Sequence, residues 1–195
     1  MTGPRRARQT VAAAAHTVYG MTRYAALLRG INVGGQNKVP MAELRKVMTG
    51  LGWGDVRTYL QSGNAVLTTD DPHPGPVLER ALAEHFGVRV PVLVRTAEEL
   101  RAVAAACPLP VAELDPAKVL VLFIEEEPAE DHFAGLDAQL WAPDTFRHIG
   151  RAVYCHFPHG MGRSRLPAAL ERVRPALTMT GRNWRTVQRL IELTS

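Results

Sequence analysis

Short apolar runs alternate along this chain with stretches in which apolar residues recur every third or fourth position. Tyr24 to Arg29 is a compact apolar run ended by Gly30, the mark of a buried strand. Past a polar, glycine-rich turn, Met41, Leu44, Val47, Met48 and Leu51 recur at helical spacing. Pro40 suits the first helical position, and Gly52 closes the pattern. Val56 to Leu60 alternates between two faces, Ser62-Gly63-Asn64 reads as a turn, and Ala65 to Thr68 returns as a strand. After the loop "DDPHPGP", Val77, Leu78, Ala81, Leu82, His85 and Phe86 mark a second helix closed by Gly87, and Val90 to Arg95 is another strand. The order strand, helix, strand, strand, helix, strand is the split βαβ, or ferredoxin-like, arrangement. Pro91 fits it, because the last strand of that topology lies at a sheet edge, where proline removes no ladder bond.

The second half repeats the plan in the order of its elements rather than in its letters. Glu98 to Ala106 is helical, Val119 to Ile124 is a strongly apolar strand, and Ala129 to Leu140 reads as a helix. Thr145 to Ile149 and Ala152 to Phe157 form a hairpin turning at Gly150-Arg151. Pro167 to Val173 is a helix, and Trp184, Val187, Leu190 and Ile191 give the last helix its apolar stripe. No clear strand completes this second unit. The expected fold is therefore α+β, with two ferredoxin-like subdomains in tandem, the second lacking an evident final strand. The expected divisions are residues 1–20 as a loose tail or a misassigned start, 21–95 as the first subdomain, and 96–195 as a second α+β subdomain with a C-terminal helix. Met21 stands directly before the first good strand and is the expected natural start; the residues ahead of it lack the strong apolar segment of a secretory signal.

Composition adds little to this and charge adds more. The chain of 195 residues is ordinary for a globular protein, at 46% hydrophobic and 22% charged. No apolar run approaches the roughly 18 residues of a membrane span. Two well-separated cysteines, Cys107 and Cys155, are too few for a disulfide framework, so a cytoplasmic location is expected. The net charge of +4 is unevenly spread. Acids cluster at Glu125, Glu126, Glu127, Glu130 and Asp131, whereas Arg163, Arg165, Arg172, Arg174, Arg182, Arg185 and Arg189 dominate the C-terminal end. A basic end suits an anionic partner; a solvated helical face, or pairing with the acidic middle, would give the same pattern.

Three polar stretches carry the candidate chemistry. In "RGINVGGQNK", Arg29, Gly30, Asn32, Gly34, Gly35 and Lys38 combine glycines that free backbone N–H groups with two cations and a helix start beyond. A plain connection, with Asn32 bonding its own backbone, is the competing explanation. In "YLQSGNAV", Gln61, Ser62 and Asn64 are uncharged donors and acceptors on what is otherwise a hairpin turn. That turn is expected at the sheet end where the first strand begins, away from the glycine-rich turn, so the two need not meet and topology alone does not merge them into one site. In "TMTGRNWRTVQRL", Arg182 and Asn183 precede a helix N-terminus that could face an anion, and Trp184 could stack on a ring; a capping Asn183 and a core tryptophan are the alternatives. These twelve residues are the candidate ligand-binding set. No cofactor is implied: "RGINVGG" has neither the P-loop ending nor dinucleotide glycine spacing. His148, Cys155, His156 and His159 lack zinc spacing, no nucleophile elbow is present, and no carboxylate pair suggests acid–base work.

Together "YAALLRGINVGGQNKVPMAELR", "VRTYLQSGNAV" and "GRNWRTVQRL" resemble the bacterial domain of unknown function family 1697, over about Arg23 to Leu193. The resemblance implies an α+β protein of two related subdomains and a start at Met21. It brings no established activity. Arg185 stands where the family pattern has a neutral Asn and raises the local charge. The residues then point to a protein that binds an anionic, phosphorylated ligand or a nucleic acid backbone. An RRM-like mode is disfavoured by the lack of aromatics on the central strands. An enzyme with an inter-subdomain cleft, where Arg29, Gln61, Asn64 and Arg182 orient an anionic substrate, and a protein–protein adaptor are the competing readings.

Overall fold

The computed structural model describes residues 20–195; the expected tail therefore lies almost wholly outside the described residues. In chain order the elements are β1 (Thr22–Leu28), α1 (Met41–Gly50), β2 (Gly54–Tyr59), β3 (Asn64–Thr69), α2 (Pro74–Phe86), β4 (Val92–Thr96), α3 (Ala97–Ala105), β5 (Val119–Ile124), β6 (Thr145–Ile149), β7 (Ala152–His156), α4 (Leu166–Arg172), β8 (Met179–Asn183) and α5 (Trp184–Thr194). The protein is α+β, with two four-stranded antiparallel sheets of order β2-β3-β1-β4 and β6-β7-β5-β8. No helix among the described residues is long and apolar enough to cross a membrane.

Period-two alternation sorts the strand residues into three cores. Tyr24, Ala26 and Leu28 face α1 and α2, packing on Leu44, Met48, Leu78 and Leu82. Their neighbours Ala25 and Leu27 face a middle layer formed by Leu100 of α3 and Trp184, Val187 and Leu190 of α5, which is closed from the other side by Val119, Val121 and Phe123 of β5. Leu120, Leu122 and Ile124 point the opposite way, onto Phe157, Leu166 and Leu170. Both faces of β5 are thus covered, and all six of its residues are buried. α3 opens on a capping box between Thr96 and Glu99, and α5 on Asn183, whose side chain accepts from the Thr186 amide.

Two expectations are corrected. The span read as a helix from Ala129 to Leu140 is a series of tight turns with a single 3-10 turn at Ala138–Trp141. The amides of His132, Ala134 and Leu136 each bond the carbonyl three residues back, and Gly135 interrupts the pattern. The second sheet also has its fourth strand: β8 runs through "MTGRN", which read as a polar turn. Its inward residues Thr180 and Arg182 are polar, so apolar patterning could not reveal it.

Candidate functional site

β2 runs parallel to β1, each being antiparallel to β3. The β2–β3 turn therefore lies where β1 ends, and the two polar turns, expected apart, are locked together. The Leu28 amide donates to Gly63 O at 2.8 Å. Asn32, held in the left-handed region at φ 55, donates from Nδ2 to Val39 O and to Gln61 O, and its Oδ1 accepts from the Val39 amide, all at 2.9 Å. Asn37, at φ 47, donates to Gly30 O at 3.0 Å. Short polar side chains tolerate this backbone region better than others, which is why asparagine serves here.

What that lattice leaves outward is specific. Gly34 and Gly35, at φ 57 and 78, sit at the exposed tip of the turn, with open space where a Cβ would stand. Among the described residues no protein acceptor meets their amides. Arg29 is part-exposed and pairs with Glu171 at 3.4 Å, a weak surface contact. Lys38, Gln61 and Ser62 are exposed. The Glu171 contact brings the C-terminal end of α4 beside this turn, with the exposed Arg172 at the end of the helix and Arg174 just beyond it. The corresponding connection after β5 carries the exposed Glu125, Glu126, Glu127, Glu130 and Asp131, so the two halves present opposite charge at equivalent places.

Arg182 and Asn64 do converge, but inward. Arg182 is 6% exposed. It donates from Nε to Asn64 Oδ1, from Nη1 to Thr180 Oγ1 and Gly181 O, and from Nη2 to Leu28 O and Gly63 O, so each of its five N–H groups has a partner. Burial lowers its pKa to about 10. Asn64 is buried and donates to Tyr59 O and Ser62 Oγ. Arg182 thus belongs to the second sheet and clamps the end of β1 and the start of β3 in the first. Trp184 is buried in the middle layer, with no ring face open for stacking, and Asn183 caps α5. These residues build the floor beneath the exposed turns.

Sequence reasoning missed the counterpart of this clamp. Arg95 pairs across from Ala25 in β4 as Arg182 pairs across from Val121 in β8. It donates to Val94 O and, across the sheets, to Ile124 O, the last residue of β5, as Arg182 reaches Leu28 O, the last of β1. Its pKa also falls to about 10, through burial and then the nearby Arg151 charge. The signal was present in the chain: "VRT" before α3 and "GRN" before α5 each place an arginine one residue ahead of a helix cap.

Between the halves, beside the β2–β3 turn, lies a pocket of ≈ 220 Å³ whose lining includes Leu60, Ser62, Leu120, Phe157, Met161, Asn183 and Thr186. A wider cleft of ≈ 730 Å³ elsewhere on the seam carries both Arg80 and Arg89 and Glu84 and Glu125, with no dominant sign. Among the described residues no group of three or more His, Cys, Asp and Glu could hold a metal ion.

The family described as "Protein of unknown function (DUF1697)" matches residues 21–154. The fold is similar to the solved structure of a conserved bacterial protein from Streptococcus pneumoniae, at 28% identity and a TM-score of 0.68, over 90% of this chain and 100% of that one. A comparison with curated proteins finds no match.

Proposed function

The chain belongs to the DUF1697 family of proteins of unknown function, and we propose that it binds the phosphates of a nucleic acid backbone on the face formed by the glycine-rich turn and the β2–β3 turn. The observation that carries this reading is the Asn32 lock, which ties the two turns together beneath Gly34 and Gly35, whose amides meet no protein acceptor among the described residues. Unpaired amides at a glycine bend stabilise a phosphate oxygen, and a preformed bend needs no ordering when the ligand arrives. Arg29 and Lys38 add charge on the same turn, and the exposed Arg172 and Arg174 at the C-terminal end of α4 extend it. The face is open rather than enclosed, which suits a polyanionic strand better than a small metabolite. Arg182, Asn64, Asn32 and Asn183 position this face; Arg29, Gly34, Gly35, Lys38, Gln61 and Ser62 meet the ligand.

The same proposal takes residues 21–95 and 96–195 as two ferredoxin-like subdomains in tandem, a reading supported by the shared strand order and by the two arginine clamps. A cytoplasmic setting is supported by two free cysteines.

The test is fluorescence anisotropy of a labelled single-stranded oligonucleotide across a salt series. Binding should weaken steeply with salt. Arg29→Ala with Lys38→Ala should make the log–log slope shallower by about 1.4, at about 0.7 for each phosphate no longer neutralised. No binding at low salt, or a slope unmoved by the double variant, would refute the proposal.

A further inference from the structure

Resting on that reading, we propose that the pocket beside the β2–β3 turn receives one unstacked base of the bound strand, which makes the ligand a single strand rather than a duplex. The lining of the pocket carries this. Leu60 holds a left-handed backbone at φ 59, a conformation costly for a branched side chain, and yet leaves that side chain 54% exposed at the pocket wall. The fold gains little from so exposed a leucine, so the strained geometry points to a ligand contact. Met161, 48% exposed, lines the same pocket with a flexible apolar side chain.

The polar part of the pocket is equally specific. Thr186 is 4% exposed and lines the pocket, and among the described residues its hydroxyl bonds to nothing. Asn183 Oδ1 is taken by the Thr186 amide, which leaves the Asn183 Nδ2 donors free. Apolar side chains with one amide donor and one hydroxyl among them suit the faces and the edge of a flat heterocycle. At ≈ 220 Å³ the volume falls below the roughly 300 Å³ at which pockets for whole drug-sized ligands begin, so it fits a fragment whose remainder lies outside. That remainder has a place: Gln61, between Leu60 and Ser62, is the residue to which Asn32 ties the glycine-rich turn. A base in the pocket thus leaves its own backbone beside Gln61, on the side tied to the glycine-rich turn.

Anisotropy with four probes decides it: a single strand, the same strand made abasic throughout, the matched duplex, and a nucleoside monophosphate as competitor. The base-bearing strand should bind about tenfold tighter than the abasic strand and the duplex. Thr186→Val and Met161→Ala should remove that difference while leaving abasic binding unchanged. Thr186 is buried and its variant could fold poorly, so Leu60→Gly provides a second route. Glycine relieves the left-handed backbone, and the variant should melt no lower than the parent while losing the preference for bases. Equal binding of base-bearing and abasic strands would overturn this inference and leave backbone binding standing. Failure to bind any strand would overturn both. A nucleoside monophosphate that binds as tightly as the strand would overturn the strand as the source of the base.

Discussion

Replacing Arg182 with methionine removes the clamp on the first sheet while keeping side-chain bulk. Of its five acceptors, Gly63 O keeps the Leu28 amide, and the Thr180 hydroxyl can rotate to a new partner. Leu28 O, Asn64 Oδ1 and Gly181 O each lose an arginine donor. At about 2 kcal/mol for each of the buried acceptors Leu28 O and Asn64 Oδ1, and about 1 for the part-buried Gly181 O, the gross cost is about 5 kcal/mol. An opposing term comes from the charge itself. Burial lowers the Arg182 pKa to about 10, so removing the cation releases about 3 kcal/mol of desolvation. The net expectation is a loss of about 2 kcal/mol, a sizeable part of a typical domain's stability. Urea unfolding followed by tryptophan fluorescence reads it directly, because Trp53 is buried in the first core and Trp184 in the middle layer. The midpoint should fall with the slope unchanged. Arg95→Met should cost less, since Arg95 bonds only Val94 O and Ile124 O. A loss below about 1 kcal/mol for Arg182→Met would mean that the clamp satisfies its acceptors without holding the sheets, and would refute the reasoning.

Two further outcomes follow from the same geometry. Gly63→Ala places a Cβ 2.9 Å from Ile31 Cγ1 and Leu28 Cβ at φ +86; the left-handed backbone and the overpacking together should cost more than about 2 kcal/mol in thermal unfolding, and a neutral variant would contradict the close approach. Burial, with a smaller contribution from the Asp144 charge, pushes the Cys155 thiol from 9.0 up to about 12. The unfolded thiol therefore ionises first, and stability present below about pH 9 drains away as pH rises toward 12, by about 1.4 kcal/mol at pH 10. Cys155→Ala should flatten the decline between about pH 8 and about pH 10. A slope remains because burial raises Cys107 as well. An unchanged slope would show that Cys155 is not protected by the fold.

Local periodicity was enough to place most elements. The Val119–Ile124 strand, the α1 stripe and the glycine that closes α2 are written in residues whose burial depends only on repeat and side-chain type. The candidate turns were visible for the same reason, because glycine and asparagine mark positive φ before any tertiary contact exists. The sequence by itself thus determined where the chain is straight, helical or sharply bent, and which turns are polar. Tertiary structure decided how those turns are used. β8 is polar where it is buried, and it is stable as a strand only once β5 and the first sheet supply its partners. Whether Arg182 faces a ligand or the protein interior depends on carbonyls up to 154 positions away in the chain. A guanidinium's donors can be met by water or by buried oxygens, so its side-chain chemistry alone does not choose between them; the packing of one sheet against the other, by supplying enough acceptors to offset desolvation, does.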